Sequence, residues 1–183
     1  MRSPKRAAAT LRRRGPAALL LAVAAGCTPS LDWRQARPEG SGATMLFPCR
    51  PASVERPVQL AGSSLSMRLH SCVAGGATFS LAVADAVVPD RVTPLLVALR
   101  EQAVANVAGQ ASPAALPAVA GATPNAQSAL LRIEGRLPDG RPVVSHAAFF
   151  VCGTRLYQAT IIGTGPPAGA ETLENFFATV QLR

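Results

Sequence analysis

What most limits the fold of this chain is a change of hydrophobic period along it. Met45, Phe47 and Cys49 alternate with their neighbours, followed by Val58 and Leu60, and then by Leu65, Met67 and Leu69 set against Ser64, Ser66, Arg68 and His70. Successive side chains of a strand point to opposite faces, so a period of two marks half-buried antiparallel strands. Gly62-Ser63 predicts a turn between the second and third strands. Gly75-Gly76 separates the third from a fourth over Thr78 to Asp85, in which Phe79, Leu81 and Val83 share a face. The period then lengthens: Val92, Leu95, Leu96, Leu99, Ala103 and Val107 recur at helical spacing, with Arg100, Glu101 and Gln102 opposite. Thr93-Pro94 suits an N-cap and first helical position, and Asp90 offers an earlier start.

Residues 108–127 are rich in Ala, Pro and Gly, keep no period and predict a long loop. Strands resume over 129–137, 142–152 and 155–163, joined by Pro138-Asp139-Gly140 and Gly153-Thr154 into a three-stranded meander. Leu173, Phe176, Phe177 and Val180 then predict a helix over 171–180. The resulting fold class is α+β, an antiparallel sheet of about seven strands with a long central helix and a short C-terminal helix packed on it. Residues 44–183 have the size of one domain.

The chain opens with Arg2, Lys5, Arg6 and Arg12 to Arg14, then an apolar run from Ala17 to Ala25 that ends in Gly26-Cys27. A basic segment, a short apolar segment and small residues define an export signal too brief to span a bilayer permanently. Val23-Ala24-Ala25-Gly26-Cys27 resembles the bacterial lipobox, in which the cysteine is lipidated and becomes the new N-terminus; Ala24 stands where leucine is usual. The resemblance makes residues 1–26 the signal peptide and Cys27 the lipid attachment site, carrying palmitate-type chains. The plainer alternative is a cleaved periplasmic protein with Cys27 incidental. Thr28 follows the cysteine in place of the aspartate that retains such proteins at the inner membrane, which implies the outer membrane, facing the periplasm. Residues 27–43 then read as a flexible tether of Pro, Ser, Gly, Gln and charges. Trp33 interrupts it and is expected to pack on the first strand, the bilayer interface being the other place for it.

Charge is interpretable only once the signal is set aside. The whole chain carries 18 Lys and Arg against 10 Asp and Glu, and six of those bases lie in residues 2–14, leaving twelve against ten. The remaining arginines are scattered among acids rather than clustered, so nucleic acid is excluded as the expected partner.

Phe47-Pro48-Cys49-Arg50-Pro51, Gly76-Ala77-Thr78-Phe79, Gly153-Thr154-Arg155-Leu156-Tyr157-Gln158 and Phe176-Phe177 resemble the corresponding stretches of a group of proteobacterial lipoproteins. More distantly, the order of strands, long helix, meander and final helix is similar to PsbP, the extrinsic adaptor protein of photosystem II. The resemblance implies an envelope location and a PsbP-like fold; no binding residue of PsbP can be matched to a position here.

Cys49, Cys72 and Cys152 remain, an odd number for an oxidising compartment. Three pairings are open. Cys49 with Cys72 is preferred because both sit at strand ends beside loops, leaving Cys152 as a core or strand-end thiol. A nucleophilic Cys152 served by His146 is disfavoured: six residues along one strand separate them by about 20 Å. His70 and His146 are expected as core or solvent-facing side chains, and two strand histidines fall short of a metal site. Asp85, Asp90, Glu134 and Asp139 include possible acid/base pairs, yet strand ends, a helix start and a turn account for most of them. Gly75-Gly76 and Gly163-Thr164-Gly165 lack the lysine and the setting of a phosphate loop. The expectation is therefore a non-enzymatic binding or accessory module with no cofactor, anchored to the membrane by its N-terminal lipid and meeting another envelope protein. The alternative is a small-molecule or lipid-binding protein with a cavity between sheet and helix, a space that Phe79, Leu81, Leu96, Leu99, Tyr157, Ile161 and Phe176 would otherwise fill.

Overall fold

A computed structural model describes residues 31–166 and 168–183, so the export signal and Cys27 lie outside the described residues. The described chain is α+β, built on a seven-stranded antiparallel sheet. In spatial order the strands are β3 (Ala52–Leu60), β4 (Ser63–Ala74), β5 (Ala77–Asp85), β9 (Arg155–Gly163), β8 (Pro142–Cys152), β7 (Ala129–Arg136) and β6 (Gln110–Ala114). Both expected runs of hairpins are present. β3–β4–β5 and β7–β8–β9 are meanders, and they meet where β5 pairs with β9, Phe79 opposite Ile161.

The membership of the sheet differs from the sequence reading. The strand expected first, through Met45, Phe47 and Cys49, is β2 (Ala43–Phe47) and belongs to a separate three-stranded sheet with β1 (Arg34–Ala36) and β10 (Gln181–Leu182). The seventh place is taken by β6, inside the stretch expected to be a loop; all five of its residues are exposed, so no apolar period marked it. The expected tether also departs from the structure in its second half. Leu31, Trp33 and Ala36 pack on the core, and the Asp32 backbone N–H donates to the Pro48 carbonyl at 3.1 Å. A few apolar residues in a polar stretch were enough to dock it.

Two helices cover the sheet. α1 (Val92–Ala105) follows a 3₁₀ turn over Pro89–Arg91, so the helical path starts at the earlier of the two expected places. Thr93 makes no capping bond; its hydroxyl accepts from the Asn125 side chain at 3.0 Å. α2 (Ala170–Phe177) stops before Val180, because the chain must extend there to pair with β2 as β10.

Each face of the sheet buries its own cluster. Leu95, Leu96 and Leu99 of α1 are buried with Ala147, Phe149, Val151 and Leu156 on one face. On the other, Phe79, Leu81, Phe150, Tyr157 and Ile161 lie under Met45 and Phe47 of β2 and Phe176 and Phe177 of α2. Of the two arrangements open from sequence, helices on one face or on both, the second is found, and the residues grouped as one sheet–helix interface divide between two, with Leu96 and Leu99 on one and Phe79, Tyr157 and Phe176 on the other. Coverage on both sides explains the continuous apolar run from Ala147 to Val151, as a strand buried on both faces needs no alternation.

Candidate functional site

The described residues gather one mostly apolar cleft at the end of the sheet nearest the start of the described chain. Its rim begins with the β4–β5 turn, where Gly75 and Gly76 take φ of 55° and 77°, a left-handed pair that lets the strands reverse in two residues. Ala74 and Ala77 flank the turn as partners, so the rim carries only small side chains. Phe79, Ile161 and Val144 form the floor, Leu31 closes one side, and Thr172 of α2 stands on the other. The space is about 400 Å³. Phe79 is held in place edge-on by Trp33 at 5.9 Å and by Phe176 at 5.3 Å between ring centroids. Trp33 thus packs on Phe79 of β5, within the cluster that also holds Met45 and Phe47 of β2.

Among the described residues no Lys, Arg, Asp or Glu lines the cleft, and the titratable wall residue is His146. Burial, and then the positive field of Arg132, pushes the His146 pKa below its ordinary 6.5, so the ring is neutral at pH 7. A space with apolar walls and a neutral imidazole suits an uncharged apolar group.

Cys49 and Cys72 form a disulfide that ties the β2–β3 connection to β4. Cys152 is outside any disulfide, half-buried at the end of β8. It shares that strand with His146, which turns toward the cleft at the opposite end. His70 is fully buried, and its Nδ1 is 2.6 Å from the Ser53 Oγ across β3 and β4, a contact the sequence reading missed. The signal for it was available only through register, which sets these two residues opposite one another. Nε2 of His70 has no partner among the described residues, so within them the pair lacks the group that orients the base in a nucleophilic device. Desolvation and the neighbouring Arg68 hold the His70 pKa below 6.5.

The acids do local work. Asp85 ends β5 and accepts from the Val87 backbone N–H at 2.8 Å, which with the Thr154 hydroxyl lowers its pKa. Asp139 accepts from the Arg141 backbone N–H in the β7–β8 turn, Asp90 lies in the 3₁₀ turn, and Glu134 pairs with Arg132. Among the described residues, no three His, Cys, Asp or Glu side chains converge as metal ligands, and no helix is long and apolar enough to cross a membrane. Compared with known proteins, the chain matches no family model, no curated protein and no solved structure.

Proposed function

We propose that this chain is a lipoprotein of the bacterial envelope, anchored through Cys27 to the outer membrane on its periplasmic side, and that its folded body is a non-enzymatic binding or accessory module. The observation that carries this reading is the basic segment, short apolar run and Gly26-Cys27 at the N-terminus. The Cys49–Cys72 disulfide supports it, since such bonds persist in oxidising compartments. The likeness to proteobacterial lipoproteins, and the more distant likeness to the PsbP fold, belong to the same proposal. The order of sheet, long helix, meander and short final helix supports the latter.

Labelled palmitate should enter the wild-type protein and not Cys27→Ala, and the variant should leave the membrane fraction. A parent that takes no label and fractionates like Cys27→Ala overturns the anchor. Pull-down from solubilised envelopes tests for the protein partner.

A second reading, binding of a small molecule or lipid, is favoured by the 400 Å³ cleft. The space lies beside α2 at the sheet's end; on the other face Leu95, Leu96 and Leu99 are buried against the sheet, and a more open space of about 450 Å³ between α1 and β6–β7 carries Arg100 and Glu101 on its walls.

A further inference from the structure

We propose that the cleft bounded by Leu31 and Phe79 seats one fatty acyl chain, and that the chain is supplied by the lipid on the protein's own Cys27. This rests on the lipidation reading above and goes beyond it by giving the lipid a place in the fold. The argument begins with reach. Leu31 lines the cleft and is four residues from Cys27, a separation of at most about 14 Å even when fully extended. A lipid attached there starts within its own length of the opening.

The chemistry of the walls agrees. Phe79, Val144 and Ile161 present apolar floor, no fixed charge intrudes, and the glycine and alanine rim between Ala74 and Ala77 leaves the entrance low. The sequence is uncharged over both Ser71–Ala84 and Tyr157–Ala170, so the strands that carry the rim and much of the floor bring no ion to the opening. About 400 Å³ lies near the lower end of the ligand-site range of roughly 300–1,000 Å³, room for one chain rather than two or three. The remaining chains stay in the membrane and keep the anchor.

The test uses the full-length protein in its envelope, with cells fed a fatty acid that carries a photoreactive diazirine. Irradiation followed by mass spectrometry should find the Cys27 peptide crosslinked, through its acyl chain, to peptides containing Phe79, Val144 or Ile161. Ala77→Phe, which fills the mouth while the Cys49–Cys72 disulfide reports the fold, should abolish that crosslink. Label on Cys27 that crosslinks only to membrane lipid overturns this inference and leaves the anchor standing. Cleft peptides crosslinked to a phospholipid or a free fatty acid, with none to the Cys27 peptide, overturn the source. Absence of label on Cys27 overturns both proposals.

Discussion

Single residues decide how this protein answers to pH and to small insertions of volume. His70 and His146 are both buried, and burial is the leading cause of the lowered pKa of each. A base whose folded-state pKa lies below 6.5 binds fewer protons folded than unfolded. Stability is then full above pH 6.5 and falls as pH drops below it, until the folded pKa is reached. The carboxylates do not share this window, because Glu55, Asp85 and Asp139 are held below their ordinary values of 3.8 to 4.5. The melting temperature should therefore fall by a few degrees between pH 7.5 and 5.5, and the double variant His70→Asn/His146→Asn should flatten that slope; an equal slope in the variant contradicts the assignment. Gly135 is a steric case inside a strand. A Cβ there would stand 2.3 Å from the Val107 carbonyl oxygen, which already accepts the Arg136 N–H at 2.7 Å. Gly135→Ala should cost about 1–3 kcal/mol in urea unfolding by prising the end of α1 from β7. Sequence did carry a sign of this, since a glycine inside a strand often marks close backbone approach. The Ser53–His70 contact carried none, because it exists only after β3 and β4 are paired in register.

Secondary-structure elements were legible where period and burial coincide. β4, β5, β7, β8 and β9 lie within a residue or two of the expected strands, and α1 lies within its expected run. The misses share a cause. β6 and β1 are short strands with mostly exposed side chains, and β10 has two residues, so none repeats long enough to show a period. β6 is also an edge, where Pro113 costs no ladder bond on its open side, and the opposite edge β3 carries Glu55, Arg56 and Pro57. Prolines and charges at both margins discourage pairing with another chain. The disulfide acts at this scale too, since it fastens the connection after β2 to β4 and closes a loop with a sequence separation of 23. By the chain-entropy argument Cys72→Ala should lose about 3 kcal/mol, read as a lower denaturation midpoint for the variant, and for the reduced parent alike. Equal midpoints for the oxidised and reduced parent would contradict a structural role.

At the scale of the whole molecule, the two ends of the described chain close the second face of the sheet together. β10 pairs with β2, the Leu182 N–H donates to the Ala120 carbonyl at 2.8 Å, and the Arg183 N–H donates to that of Gly42 at 2.9 Å. Tyr157 reaches up from the sheet to the Ser41 carbonyl at 2.8 Å, which pins the same segment from below. Periodicity showed the strand of Met45 and Phe47 but not its place in this third layer, because the contacts to β10 and Tyr157 join residues more than a hundred positions apart. It also shapes the candidate site, for Leu31 and Trp33 arrive at the cleft only if the segment containing β1 and β2 stays down. Removing Gln181–Arg183 tests that dependence. Leu182 is 6 % exposed, so its loss alone should cost about 2 kcal/mol, with the pairing of β2 weakened besides. Trp33 is the only tryptophan and packs on Phe79, so its emission reports the same event. The truncated protein should unfold at lower urea and show Trp33 emission shifted to the red in the native baseline. A lower midpoint with unchanged emission would mean that β10 stabilises the fold without holding the wall of the cleft.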